Sequence, residues 1–157
     1  MTKEHHYSAE IRWTGNLGKG TSGYRDYDRD HVISVMGKPE IPASSDPSFR
    51  GNNTRYNPEE MLVASLSSCH MLWYLHLCSE AGVVVTTYSD HATGVMEEEG
   101  NAGAFASVTL HPVVTVLKKE MIEKATALHE KANALCYIAR SVNFEVHHSP
   151  ECRSEQE

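Results

Sequence analysis

Two thiols dominate the chemistry open to this sequence. Cys69 lies near the end of the run Asn57-Pro58-Glu59-Glu60-Met61-Leu62-Val63-Ala64-Ser65-Leu66-Ser67-Ser68-Cys69-His70, behind small residues that leave room beside its sulfur, and Cys136 lies 67 residues downstream. A thiolate is a nucleophile and a reductant, so two cysteines held on ordered elements can be oxidised together and regenerated by exchange. Either one alone also reads as a small core residue, because free cysteine is among the most buried residue types. Their occurrence in comparable settings is what points to thiol redox chemistry. A disulfide staple is not needed, since a chain of 157 residues buries roughly 70% of its unfolded surface without crosslinks.

The other cysteines carry less. Cys78 is nine residues beyond Cys69 on the same expected helix, roughly 13 Å along its axis, so the two cannot join within one straight helix. Cys78 is assigned to the core. Cys152, in Ser149-Pro150-Glu151-Cys152, falls in an expected loose tail after His148 and is given no role. His70 and His76 are six apart and do not share a helical face, and neither Cys-x-x-Cys nor His-x-x-x-His occurs. No structural zinc, nucleotide or other cofactor is expected.

Composition narrows the partners. The net charge of −7, with 14 Lys and Arg against 21 Asp and Glu, argues against nucleic acid or an anionic membrane. No apolar run approaches the roughly 20 residues of a membrane span, and the start Met1-Thr2-Lys3-Glu4-His5-His6 has no signal-peptide core. The chain reads as cytosolic, where a reducing milieu keeps cysteines as thiols and makes any disulfide transient.

The elements that must position these groups follow from periodicity. Tyr7, Ala9, Ile11 and Trp13 alternate with polar neighbours, giving a strand, and Gly15 to Gly20 supplies a turn into a polar return strand over Thr21 to Val35. Lys38 to Tyr56, with Pro39, Pro42, Pro47 and Gly51, reads as an irregular connection, and one this long is more often functional than idle. Asn57 is the expected N-cap of a helix with Pro58 at its first position and Glu60 completing a capping box. Apolar residues from Met61 to Leu77 occupy nearly every face up to Gly82, so this helix is expected to be buried. Val83 to Val95 and Phe105 to Leu117 read as two antiparallel strands. Met121, Ala125, Leu128, Ala132 and Leu135 mark a second, amphipathic helix, and Val142 to Val146 a last short strand.

At these residues the chain resembles the OsmC/Ohr family of thiol-dependent hydroperoxide reductases. The matching pieces are Trp13-Thr14-Gly15 with Lys19-Gly20-Thr21, Asn57-Pro58-Glu59-Glu60 leading to Cys69, and Cys136 before Ile138. The resemblance runs from about Tyr7 to Val146 and implies one OsmC-like domain over residues 1–157. It implies an α+β fold with a long buried central helix on antiparallel sheets, built as an intertwined homodimer. It also implies a cysteine-based peroxidase in which Cys69 is the peroxidatic thiolate and Cys136 resolves its sulfenic acid as a disulfide. Glu59 corresponds to the family glutamate that orients an arginine beside the thiolate. Thr14-Gly15 is followed by no arginine, so Arg50, in Phe49-Arg50-Gly51, is preferred over Arg29 and Arg55. The implied partners are an organic hydroperoxide, a dithiol reductant such as a lipoyl protein, and a second copy of the chain. Tyr137 stands where many members have proline. A non-catalytic protein of the same fold, binding or sensing thiol-reactive molecules, is the alternative.

Ten residues separate Glu59 from Cys69, roughly 15 Å and about 80° of rotation on a straight helix. If both serve one site, an arginine spans the gap, the helix is broken, or two subunits contribute.

Overall fold

A computed structural model of the chain describes residues 1–156. They cluster into two compact units that divide between Met61 and Leu62.

The first unit is a small antiparallel meander of β1 (Glu10–Trp13), β2 (His31–Ser34) and β3 (Ile41–Ala43) in that spatial order. Trp13 pairs with His31 and Glu10 with Ser34, so the expected hairpin is present, although its first strand begins at Glu10 rather than Tyr7. The return strand is shorter than expected. Residues 21–26 form turns and bends instead, and Tyr27 makes a single antiparallel bridge to Asn16. The Arg29 guanidinium donates to the carbonyls of Tyr27 at 2.6 Å and Tyr24 at 2.7 Å and lies over both rings. Trp13 Nε1 donates to Asp28 O at 2.8 Å across the same loop. Gly18-Lys19-Gly20-Thr21-Ser22-Gly23 spells Gly-x-Gly-x-x-Gly, but it sits in this turn region with no helix after it, as a dinucleotide site requires.

The connection expected to be irregular is partly ordered. It contains β3 and a single 3₁₀ turn over Pro47–Phe49, capped by the Asp46 carboxylate, which accepts from Ser48 N at 2.7 Å. Arg50 ends that turn with φ 64°, a left-handed conformation. Gly51 follows because a Cβ there would lie 1.6 Å from Ser45 O.

Helix α1 (Pro58–Glu80) begins as its sequence dictates. Asn57 Oδ1 accepts from Glu60 N at 2.8 Å, and Glu60 Oε2 accepts from Asn57 N at 3.2 Å. It ends where Gly82 takes φ +72° and Val83 N reaches back to Cys78 O at 2.9 Å. The expectation of burial on nearly every face needs correction. Leu66, His70, Tyr74, Leu77 and Cys78 form a buried stripe, while Ala64, Ser68, Leu72 and His76 form an exposed one. By length and apolarity α1 would pass for a membrane span, contrary to the sequence expectation. Its buried stripe instead joins the core clusters of the second unit.

In that unit the two long strands expected from sequence are each cut in two. β4 (Val85–Asp90) and β5 (Thr93–Glu99) come from the first, β6 (Ala102–Leu110) and β7 (Pro112–Val116) from the second. The pairing is antiparallel as expected, but it is split between sheets, β4 with β7 and β5 with β6. Pro112, which lacks an N–H, opens β7, and Asp90 fixes the break by accepting from His111 N at 2.7 Å. The second Asp90 oxygen accepts from the Ser67 hydroxyl of α1 at 2.5 Å.

Helix α2 (Ile122–Leu135) has the expected bounds within two residues, and β8 (Glu145–His148) overlaps the strand expected over Val142 to Val146 but starts three residues later and ends two later. The tail is not loose. β9 (Glu151–Ser154) completes the order β4-β7-β9 beside β5-β6-β8. Unlike the expected all-antiparallel sheets, β8 runs parallel to β6 and β9 parallel to β7. Ser107 pairs with Glu145 and Val113 with Glu151, the same offset of 38 residues on both sides of the His111 break. The result is a long helix packed on sheets, the α+β class expected from the sequence.

Candidate functional site

The second unit brings Cys69 and Cys136 together. Cys69 sits mid-way along α1, half-buried, on the edge between the buried and exposed stripes. Cys136 terminates α2 with an extended backbone of φ −63° and ψ 115°. The two thiols are neighbours, near enough for Cys69 to help raise the Cys136 pKa, and both are free.

Their settings differ. Cys136 is 1% exposed. Desolvation, then the contact with Cys69, pushes its pKa up to about 11, while Ala139 N, donating to its sulfur at 3.4 Å, pulls the other way. The C-terminal end of α2 adds a negative dipole end, which also disfavours a thiolate. Cys136 is therefore held as a thiol. Beside it, the exposed Tyr137 ring meets Trp73 edge-on at 5.6 Å, and Trp73 is one helical turn beyond Cys69. Tyr137 thus covers an aromatic surface.

The first unit holds the expected charged groups. Glu59, in the first turn of α1, has its Oε2 buried with no hydrogen-bond partner among the described residues. A carboxylate oxygen in that state is costly unless something completes it. The candidate arginines are distinguished by what they already do. Arg29 is locked on the Tyr24 and Tyr27 carbonyls, and Arg55 pairs with Asp30 at 3.3 Å and donates to His31 O. Arg50 is exposed, lines a cleft with Asp28, Asp30 and Asn52, and makes no ion pair or side-chain hydrogen bond among the described residues. α1 is continuous between Glu59 and Cys69, so a broken helix no longer explains how both would serve one site.

Sequence reasoning passed over a second group. His70 Nε2 and His129 Nδ1 are 3.0 Å apart, their rings are coplanar within 4°, and both side chains are buried. His129 stacks on Tyr74 with centroids 3.8 Å apart, and His148 lies 5.8 Å from His70 with its Nε2 facing Glu130 at 3.3 Å. Burial lowers the His70 pKa to about 4 and that of His129 to about 3. The signal was available in the helical spacing of His70 with Tyr74 and of Ala125 with His129. Among the described residues no cluster of side chains could hold a metal ion.

A long helix on mixed sheets, with a close thiol pair at its middle, defines an OsmC-like fold. The model of the OsmC-like protein family matches residues 51–151, and the chain belongs to that family. Among solved structures, an OsmC-like protein of unknown function from Vibrio cholerae superposes with a TM-score of 0.82 at 29% identity, over 94% of this chain and 100% of that one. An organic hydroperoxide resistance protein from Elizabethkingia anophelis gives 0.67 at 19% identity, over 97% of this chain and 99% of that one. Another, from Legionella pneumophila, gives 0.67 at 18%, over 96% and 99%. At those identities the last two speak to fold. No curated protein matches the chain.

Proposed function

We propose that this chain is a thiol-dependent peroxidase that reduces organic hydroperoxides to alcohols. The observation that carries the reading is the Cys69–Cys136 thiol contact on two helices. Family membership and relatives named organic hydroperoxide resistance proteins support it.

Cys69, the more accessible thiol, attacks one peroxide oxygen as its thiolate. The O–O bond breaks, the alkoxide takes a proton and leaves as alcohol, and Cys69 becomes a sulfenic acid. Cys136 then attacks the Cys69 sulfur, the S–O bond breaks, and hydroxide leaves as water with the Cys136 proton. An external dithiol, such as a lipoyl protein, restores both thiols by exchange. The raised Cys136 pKa suits this order, because a protonated thiol does not compete for peroxide yet can resolve a neighbouring sulfenic acid. The chemistry calls for no cofactor or metal, and it belongs in a reducing compartment such as the cytoplasm.

The peroxidatic thiolate needs a cation beside it. Our reading assigns this to Arg50, oriented by Glu59, within an intertwined homodimer in which one chain's Cys69 faces its partner's pair. Two features favour it: the unsatisfied Glu59 oxygen and the exposed α1 stripe at Leu72, which is 61% exposed. The test is peroxide consumption by the purified protein with a dithiol reductant, comparing cumene hydroperoxide with hydrogen peroxide. Sustained turnover preferring cumene hydroperoxide is expected. One stoichiometric oxidation without turnover would instead favour a redox sensor.

A further inference from the structure

Cys78 and Cys152, given by sequence to the core and to a loose tail, belong to one apolar cluster of the second unit. Cys78 is buried near the end of α1 in the same apolar cluster as Tyr74 and Val114. Cys152 pairs in register with Val114, so the two side chains share a face of the sheet, and that face is the buried one. Cys152 accordingly packs on the cluster, half-buried, while its neighbours Glu151 and Arg153 are exposed. Tyr74 links the thiols. Its hydroxyl donates to Ala125 O at 3.0 Å, and Cys78 and Cys152 both lie in the cluster around its ring, where they help burial to raise its pKa. Burial, and to a lesser degree charge on Cys152, raise the Cys78 pKa. Neither cysteine belongs to the Cys69–Cys136 site.

We propose that Cys78 and Cys152 are a second redox dithiol, oxidised by hydroperoxides to a disulfide that ties β9 to the C-terminal half of α1. Cys152, the more exposed, reacts first. Its sulfur attacks a peroxide oxygen, the O–O bond breaks, and an alcohol leaves a sulfenic acid behind. Cys78 attacks that sulfur, the S–O bond breaks, and hydroxide departs as water with the Cys78 proton. Two thiols lose two electrons and the peroxide gains them. Closing the bond requires Cα atoms within about 7 Å. β9 is the element able to move, since it lies at the edge of its sheet and pairs only with β7. This site is independent of the peroxidase reading.

The test oxidises the wild type and the Cys69→Ser/Cys136→Ser variant with diamide and, separately, with cumene hydroperoxide, followed by thiol titration and peptide mapping. In the variant, the free thiols should fall from two to none, with a Cys78–Cys152 linked peptide. Hydrogen exchange should slow at Glu155, whose amide donates to Val116 O. The same linked peptide in wild-type protein guards against a folding defect in the variant. Two thiols surviving diamide, or Cys152 joined between chains with Cys78 free, would overturn the proposal. Diamide keeps the two readings separable. A link formed without peroxide turnover in wild type removes the peroxidase alone, and normal turnover without a link removes this dithiol alone.

Discussion

Acid should destabilise this protein through its buried imidazoles before its carboxylates titrate. His70 and His129 face each other at 3.0 Å between α1 and α2, with Asp90 favouring a proton on His70 and His148 opposing one on both. Their folded pKa values, about 4 and about 3, lie below the unfolded value of 6.5. The unfolded chain therefore binds more protons, and the stability that neutral imidazoles confer is complete above pH 6.5 and lost as pH falls toward 4. At pH 5 each ring stands about 1.5 units below its unfolded pKa, worth about 2 kcal/mol at 1.36 kcal/mol per unit. The rings share one hydrogen bond and titrate together, so the pair contributes about 2 to 4 kcal/mol between pH 7 and pH 5. That is a large part of a typical domain's stability. Urea denaturation followed by circular dichroism at pH 5, 6 and 7 reads the slope directly. His129→Gln, polar but without a titrating ring, should cut the slope by about half. A flat profile, or a slope unchanged in both His70→Gln and His129→Gln, would refute the reasoning.

The remaining predictions concern the candidate site and the helix that carries it. Cys69→Ser should abolish peroxide reduction while leaving the circular dichroism spectrum unchanged, because the swap removes the nucleophile at nearly constant shape. Cys136→Ser should consume about one equivalent of peroxide and stall as a dimedone-reactive sulfenic acid; sustained dithiol-driven turnover would show that Cys136 is not an obligatory resolver. Asn57→Ala removes the cap on Glu60 N and should lower stability by about 1 kcal/mol in chemical denaturation. Co-expressed Cys69→Ser and Glu59→Ala chains should regain one working site per heterodimer, and no recovery in verified heterodimers would favour a site within one chain.

What was legible in the sequence was local. The Asn57 to Glu60 cap, the Gly82 stop and the apolar spacing of α2 are each set by residues a few positions apart, and each is found as read. What escaped was set by distant partners. The break at His111 depends on Asp90, 21 residues away, and a run of β-branched residues carries no mark of where it changes sheet. β9 was missed because its pairing is with β7, far back in the chain, so the few polar residues after Pro150 look like a tail. The same limit hid the His70–His129 contact, whose members are 59 residues apart. The proximity of Cys69 and Cys136 was raised by two thiols in comparable helical settings, and their pairing was an implication of the family resemblance. Arg50 was preferred over Arg29 and Arg55 on the family resemblance alone; that the latter two already hold partners depends on the folded loop and is not written in their local sequence.

The constant offset of 38 residues between the β6–β7 and β8–β9 segments means that these two stretches bend together as one ribbon, so their lengths are locked to each other. A single-residue deletion at Ser149 or Pro150 would leave β8 in place and shift β9 by one position. Arg153 would then turn toward Val114 and Glu151 toward Pro112, and Cys152 would turn to solvent. An insertion in one member of the ribbon is tolerable only if the other gains a residue at the same bend. Length variation in this lineage should therefore concentrate elsewhere, in the exposed turn between β5 and β6 or the loop between β1 and β2, where no second strand keeps count.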